Sequence, residues 1–142
     1  MLKRRIIPIE LLNDHRLVKT IGFSSPRDVG DPLKSSQVYS DQDADELVLL
    51  NISRKERNAL PLIQILSEIS KQCFVPLTVG GGIRSLEEAS SLFKAGADKI
   101  VLNSIVYENP NLISEIGNRF GQQSVVVSID VRLNKNCYTL YS

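Results

Sequence analysis

The sequence predicts a single domain of the α/β class, with a parallel β-sheet that forms part of a (β/α)₈ barrel of the TIM type. Short runs of Val, Ile and Leu alternate with longer amphipathic stretches, and this is typical of a parallel sheet covered on both faces. The segment ADELVL at residues 44–49 returns as ADKIVL at residues 97–102. A repeat spaced by two βα units favours a barrel over an open doubly wound sheet, because alternate barrel strands share interior layers.

Local signals predict about five strands and four helices in residues 1–142. Asp31 and Pro32 are suited to the N-cap and first position of the first helix. Ser85 and Glu88 form a capping box for the third helix, which Gly96 ends. A long polar loop precedes the first helix, with a short extended excursion at residues 17–20. The strands are predicted at residues 5–9, 46–50, 74–79, 98–102 and 124–129, and the helices at 32 to about 42, 58–73, between Ser85 and Gly96, and 110–120.

Composition argues against several classes of function. A formal net charge of +1 gives no support for bulk attraction to nucleic acid or an anionic membrane. No apolar run approaches the roughly 20 residues that span a bilayer, and the apolar run after the basic start of the chain is too short for a signal peptide. Cys73 and Cys137 lack the spacing of a metal site and indicate a reduced, cytoplasmic protein. His15 is the only histidine and is expected in a turn, so no metal or cofactor is predicted.

Glycine and polar residues follow two of the predicted strands. Gly80, Gly81 and Gly82 end the third strand just before the capped helix, and Asn103 and Ser104 follow the fourth strand. Consecutive glycines let the backbone approach a ligand and turn N–H groups toward an anion. The two loops together would make a phosphate site. A tight turn that needs positive φ, with ordinary turn or cap roles for Asn103 and Ser104, explains the same residues without a ligand.

Two further candidates point to chemistry at the same end of the strands. Asp130 follows the apolar run 125–129, and barrels place their active sites at this end. A partly desolvated carboxylate there suits general acid–base catalysis, although a structural cap explains it as well. Lys19, in the long first loop, is a candidate anion anchor or electrophile, against the alternative of a solvated lysine.

Charged residues begin three of the strands. Arg5, Glu46 and Lys99 start the first, second and fourth strands. If these side chains point inward, opposite charges meet at the N-terminal mouth of the barrel and plug or gate its axis. The alternative is that each charge is solvated at its strand end.

The motifs combine into a resemblance to a known family. They resemble HisF, the cyclase subunit of imidazole glycerol phosphate synthase, over essentially the whole chain and about the first half of that family's barrel. The segments that carry the resemblance are RRIIP at residues 4–8, VK at 18–19, GDP at 30–32, DELV at 45–48, TVGGGI at 78–83, GADK at 96–99, ENP at 108–110 and SVVVSID at 124–130.

The resemblance implies an ammonia-using synthase. In that family ammonia from a glutaminase partner, HisH, passes along the barrel axis to a bis-phosphorylated ribulosyl aminoimidazole, giving imidazole glycerol phosphate and an aminoimidazole carboxamide nucleotide. By position, the resemblance implies catalytic roles for Asp130 and Lys19, phosphate binding by Gly81, Gly82, Asn103 and Ser104, gate roles for Arg5, Glu46 and Lys99, and a place facing the glutaminase for Asp98.

The chain departs from the family at the end of the first strand. Leu11 stands where the family has its other catalytic aspartate, and leucine cannot transfer a proton. Glu10 is adjacent, but a shift of one residue along a strand points to the opposite face. Asn51 replaces an acid usual after the second strand. A leucine in this place resembles HisF-like paralogues of surface-polysaccharide gene clusters, which are associated with amidation of a sugar precursor.

Three hypotheses follow from these residues. The first is an ammonia-using subunit of the glycan-amidation branch, and the second is the cyclase subunit of histidine biosynthesis. The third is an inactive half-barrel that only binds phosphate or docks a partner. Because five strands do not close a barrel of eight, the first and fifth strands would have open edges, and self-association of the isolated chain is expected.

Overall fold

The computed structural model of the protein describes residues 2–55 and 58–141. Its strands alternate with helices along most of the chain. The strands are β1 (Ile9–Asn13), β2 (Arg16–Ile21), β3 (Ser24–Gly30), β4 (Leu47–Asn51), β5 (Leu77–Gly80), β6 (Lys99–Leu102), β7 (Val125–Val127), β8 (Val131–Asn134) and β9 (Cys137–Leu140), and the helices are α1 (Pro32–Asp41), α2 (Leu60–Ile69), α3 (Leu86–Ala95), α4 (Ile105–Glu108) and α5 (Asn111–Phe120).

The main sheet has the order β3-β2-β1-β4-β5-β6-β7. Strands β1, β4, β5, β6 and β7 are parallel and follow one another in chain order. Right-handed crossovers between successive neighbours place every helix on the same face, and α1, α2, α3 and α5 pack side by side there. A doubly wound sheet would carry helices on both faces. The arrangement therefore confirms the predicted half of a barrel.

Helices cover only one face of the sheet within the described residues. The second face of a barrel sheet is the barrel interior, where strands across the axis supply the cover. On the helix face, residues with alternate spacing pack into one core. Its most buried members include Leu12, Leu47, Leu49, Val79, Ile100 and Leu102 from the strands, and Leu62, Leu66 and Ile69 from the predicted apolar face of α2, with Ile65 beside them.

Prolines shift the starts of two strands relative to the prediction. Pro8 has no N–H to donate, and the first strand forms at Ile9–Asn13 rather than at residues 5–9. The Pro8 carbonyl still accepts a hydrogen bond from Val48 N at 3.0 Å, so pairing begins there. In the same way, β5 begins after Pro76, whose carbonyl accepts from Leu47 N at 2.9 Å.

Two other elements are shorter than predicted. The strand expected at residues 124–129 is confined to Val125–Val127, because Gln122–Ser124 forms a 3₁₀ turn before it. The helix expected at residues 58–73 spans Leu60–Ile69, and Asn58 Oδ1 accepts a hydrogen bond from Leu60 N at 3.0 Å at its start.

The long polar loop predicted after the first strand is wrong, because these residues form the antiparallel hairpin of β2 and β3. The expected open edge of the first strand is wrong for the same reason, since β2 pairs with β1 there. The extended excursion at residues 17–20 lies within β2 and is confirmed. His15 lies in the turn between β1 and β2, as predicted. Arg16 Nε lies 2.8 Å from Asp28 Oδ2 across the hairpin. Positive φ at Asp14 closes the first turn, and positive φ at both Gly22 and Phe23 closes the second.

The predicted helix caps are confirmed. Asp31 Oδ1 accepts a hydrogen bond from Leu33 N at 2.9 Å at the start of α1. Ser85 Oγ accepts from Glu88 N at 3.2 Å, and Glu88 reaches back to accept from Arg84 N at 2.7 Å. Gly96 ends α3 with φ of 120°. No helix of the described residues is long and apolar enough to cross a membrane.

Candidate functional site

A buried carboxylate organises the N-terminal end of the parallel strands. Glu46 is only 6% exposed. Lys99 Nζ lies 3.0 Å from Glu46 Oε2 and 3.2 Å from Oε1, and Arg5 Nη1 lies 3.9 Å from Oε2. The structure thus brings together the three charged residues singled out at the strand starts. Their role as a gate stays a prediction.

Thr78 belongs to the same cluster and was not identified from the sequence. Its hydroxyl donates a hydrogen bond to Glu46 Oε1, and it pairs in register with Lys99 of β6. Burial raises the pKa of Glu46, but the hydrogen bonds from Thr78 and Lys99 outweigh it and leave the pKa of this carboxyl below its usual value. The signal in the sequence was a hydroxyl at an inward position of an otherwise apolar strand.

Asp98 lies at the same end of the sheet, at its surface. Its Oδ2 accepts a hydrogen bond from Leu77 N at 2.8 Å and so closes the start of β5. A cleft beside it is lined by Phe74 and Lys94, among others, and Phe74 is 88% exposed. An aromatic ring and a lysine thus lie with Asp98 along one open cleft. A place facing the glutaminase stays a prediction.

At the C-terminal end of the strands, Asn103 and Asp130 meet. Asn103 follows β6 and Asp130 follows β7, and Asn103 Nδ2 donates a hydrogen bond to Asp130 Oδ2 at 3.0 Å. Both residues are half-buried. The amide fixes one carboxylate oxygen, and no side chain of the described residues hydrogen-bonds to the other. Ser104 is exposed immediately before α4 and is available at the same edge.

The glycine run is required by close backbone packing. Gly81 and Gly82 have φ of 113° and 75°. A Cβ at Gly81 would lie 2.1 Å from Asn51 O, and one at Gly82 would lie 2.6 Å from Asn58 O. The tight-turn interpretation therefore accounts for both glycines. Phosphate binding at their N–H groups stays a prediction.

An ion pair joins the two loops of the candidate anion site. Arg84, just after the glycine run, has Nη2 2.7 Å from Glu108 Oε2 at the end of α4. The pair spans 24 positions of the chain, so no local pattern could have indicated it. It ties the loop after β5 to the helix that follows Asn103 and Ser104.

Lys19 does not join the residues at the C-terminal edge. It is exposed on β2 and pairs in register with Arg27 of β3. Four strands separate β2 from β7 in the sheet order. The structure therefore shows Lys19 and Asp130 as separate features, and a shared catalytic role for them stays a prediction.

Leu11 lies on the inner face of the sheet, and Glu10 points to the helices. Register places Leu11 in one layer with Leu50, Gly80, Val101 and Val126. Ser36 of α1 lies 3.0 Å from Glu10 on the other face. The expectation that Glu10 points to the face opposite Leu11 is confirmed. Among residues 2–55 and 58–141, no group of three or more His, Cys, Asp or Glu side chains could hold a metal ion.

Known proteins match the chain along its length. A family model described as "Histidine biosynthesis protein" matches residues 5–140. The imidazole glycerol phosphate synthase subunit HisF of Exiguobacterium sp. is 47% identical over 100% of this chain and 56% of its own length. The same subunit of Helicobacter hepaticus is 43% identical over 99% of this chain and 56% of its own length. The chain belongs to the HisF family.

The match is confined to the N-terminal part of HisF. The HisF subunit of Staphylococcus carnosus is 41% identical over 98% of this chain and 57% of its own length. The chain thus spans about half the length of the curated relatives it matches. The resemblance inferred from the motifs is confirmed, and the parallel strands described above are the first half of the HisF barrel.

Proposed function

We propose that this chain is the N-terminal half of an ammonia-using synthase of the HisF type, which binds a phosphorylated substrate at the C-terminal end of its strands. One observation carries the proposal: polar clusters stand at both ends of one inner face, with an apolar layer between them. Glu46, Thr78 and Lys99 form the lower cluster, and Asn103 and Asp130 form the upper one. This arrangement suits passage of a small neutral molecule from one end to chemistry at the other.

The upper cluster supplies acid–base chemistry and anion binding. Asp130 accepts or returns a proton of the substrate through the carboxylate oxygen that Asn103 does not hold. The backbone N–H groups of Gly81 and Gly82 and the hydroxyl of Ser104 bind the phosphate, since all belong to loops at the same strand ends. The Arg84–Glu108 pair holds these two loops against each other.

The lower cluster controls the entry of ammonia to the inner face of the sheet. Glu46 is held by Thr78 and Lys99 at the mouth of the inner face. Ammonia is neutral and small, so it passes when the Lys99 side chain swings away, while hydrated ions are held back by the charged pair. The glutaminase partner docks on the surface around Asp98 and the exposed ring of Phe74.

Binding of inorganic phosphate tests the upper cluster in this chain. We expect NMR shifts at the amides of Gly81, Gly82 and Ser104 on titration with phosphate, and weaker binding in Asn103→Ala and Ser104→Ala. Asn118→Ala, an exposed asparagine on α5, is the matched control. Shifts scattered over the surface, or equal binding in all variants, would contradict the phosphate site.

Turnover tests the reaction itself. The chain is combined with the C-terminal remainder of the Exiguobacterium relative and supplied with ammonium salt and the ribulosyl aminoimidazole bisphosphate. We expect imidazole glycerol phosphate to form, and Asp130→Asn to abolish its formation. Asp41→Asn, an exposed acid at the end of α1, is the control. Substrate that is bound but never converted would support the inactive binding half-barrel.

A second candidate function rests on Leu11. This residue puts an isobutyl group, not a carboxylate, into the inner layer next to the upper cluster, so a reaction that needs two inward acids is disfavoured. Ammonia would instead amidate another phosphorylated acceptor, such as a sugar precursor. Restoration of cyclase turnover by Leu11→Asp, in an otherwise inactive protein, would favour this candidate over the first.

A further inference from the structure

A buried glutamic acid lies between β1 and α1, away from both polar clusters. Glu10 points to the helix face and is 4% exposed, while Ser36 opposite it is 1% exposed. Glu10 Oε2 and Ser36 Oγ lie 3.0 Å apart and form a hydrogen bond. Glu10 Oε1 is fully buried and has no hydrogen-bond partner among the described residues.

No charge compensates this carboxyl in the part of the chain that the structure describes. Glu10 is the only titratable residue of β1, and its neighbour in register on β4 is Leu49. On β2, the other strand paired with β1, the titratable residues are Arg16 and Lys19, which are exposed and form no ion pair with Glu10. The titratable residues of α1 are Lys34, Tyr39 and Asp41, and none of them forms a hydrogen bond or an ion pair with Glu10. Lys34 and Asp41 are exposed. A charged Glu10 would therefore be a buried carboxylate with only serine hydroxyls for partners.

Burial of an uncompensated carboxylate strongly favours the neutral acid. Accordingly, burial raises the pKa of Glu10, and the hydroxyl groups of Ser35 and Ser36 only partly oppose the rise. In the neutral form one oxygen carries the proton, and the hydrogen bond with Ser36 needs no charge on either side. The neutral acid is thus the form that fits this interface.

We propose that Glu10 and Ser36 form a proton-dependent lock between β1 and α1, which is closed while the carboxyl carries its proton and loosens when the proton leaves. The β2–β3 hairpin stays paired to β1 through β2, so α1 is the element that the lock holds. Loss of the proton therefore loosens α1 on the sheet. The lock acts in the fold and does not depend on the proposed reaction.

The sign of the pH effect follows from the raised pKa. The stabilising contribution of neutral Glu10 is fully present below the pKa of an unfolded glutamate and is lost as the pH rises through the higher pKa of the folded state. Other carboxylates act in the opposite direction, so the contribution is isolated by comparing the chain with Glu10→Gln. Glutamine keeps the shape and the hydrogen bond but cannot ionise.

Two measurements on the chain test the lock. In the first, ¹³C-carboxyl NMR of glutamate-labelled protein follows each titration, with Glu10→Gln and Glu68→Gln used for assignment. Glu68 is an exposed glutamate on α2. We expect the Glu10 signal to titrate at higher pH than that of Glu68. Co-titration of the two signals would overturn the proposal.

In the second measurement, amide hydrogen exchange of α1 is compared between about pH 5 and about pH 8, after correction for intrinsic rates. We expect α1 to lose protection at the higher pH in the parent chain, by at least about tenfold relative to Glu10→Gln, which corresponds to about 1.4 kcal/mol. Equal protection in the two proteins would contradict the lock. If Glu10→Gln does not fold, Glu10→Leu is used in its place.

Discussion

Lys99 Nζ contacts both carboxylate oxygens of Glu46, at 3.0 and 3.2 Å. Lys99 begins β6 and Glu46 precedes β4, so the contact crosses the intervening strand β5. The strand between them, β5, contributes Thr78 to the same carboxylate. Three neighbouring strands are thus tied at their starts through one buried side chain. Removal of Glu46 or Lys99 breaks the ion pair, and removal of Thr78 takes a hydrogen bond from Glu46.

Lys99→Met is expected to destabilise the chain by about 1–3 kcal/mol, because it leaves Glu46 buried without its main cation. The remaining Thr78 hydrogen bond and the longer contact with Arg5, at 3.9 Å, moderate the loss of stability. Urea denaturation measures it. Lys94→Met, at an exposed lysine of α3, is the control and should change the free energy of unfolding by less than about 0.5 kcal/mol. A loss no larger than that of the control would show that the ion pair contributes little.

The stability of the chain should fall in acid partly through Glu46. Its pKa is lowered in the folded state, so its contribution is present above the pKa of an unfolded glutamate and is lost as the pH falls through the lower folded value. Glu46→Gln should flatten the dependence of Tm on pH in this acid range. Glu115→Gln, at an exposed glutamate of α5, should leave the dependence unchanged. Parallel curves for the parent chain and Glu46→Gln would refute the assignment.

Gly81→Ala is expected to cost about 2 kcal/mol or more, since Gly81 combines a φ of 113° with a Cβ position 2.1 Å from Asn51 O. Gly117→Ala on α5 is the matched control, and it is expected to stabilise the chain. Its Cβ would make only ordinary contacts at 3.7 Å, and alanine in a helix is favoured over glycine by about 0.5–1 kcal/mol. Thermal and urea unfolding measure both, and the prediction fails if the two substitutions shift stability in the same direction.

Ser85→Ala should destabilise α3 by about 1 kcal/mol, because it removes the acceptor for Glu88 N at the first turn. The control is Ser91→Ala in the same helix, where the hydroxyl bonds only to the carbonyl of Glu87 one turn earlier. This second substitution is expected to be neutral or slightly stabilising. Helix content and the urea midpoint report both effects, and a neutral Ser85→Ala would contradict the capping role.

Periodicity and caps predict the parallel part of the fold well. The apolar strands and the face of α2 with Leu62 and Leu66 are local patterns, and Asp31 and Ser85 are local signals for helix starts. The strand starts at Pro8 and Pro76 were misplaced because apolar composition continues where proline prevents donation to the ladder. Of the β2–β3 hairpin only residues 17–20 were predicted as extended, and β3 was missed because its residues are mostly polar and exposed.

The sequence predicts a site residue only where a charged or polar side chain stands directly at the end of one strand. Glu46, Lys99 and Asp130 stand at such ends, and chain position alone brings them to the right edge of the sheet. The Arg84–Glu108 pair depends on distant residues meeting in space. The Glu10–Ser36 contact likewise depends on how α1 lies on β1, which no local pattern specifies.

The apolar layer of Leu11, Leu50, Val101 and Val126 insulates the two ends of the inner face from each other. Substitutions above it, at Asn103 or Asp130, leave the electrostatics of Glu46 and Lys99 below it undisturbed. A related protein with this fold can therefore bind a different acceptor at the upper cluster while ammonia enters through the same lower cluster.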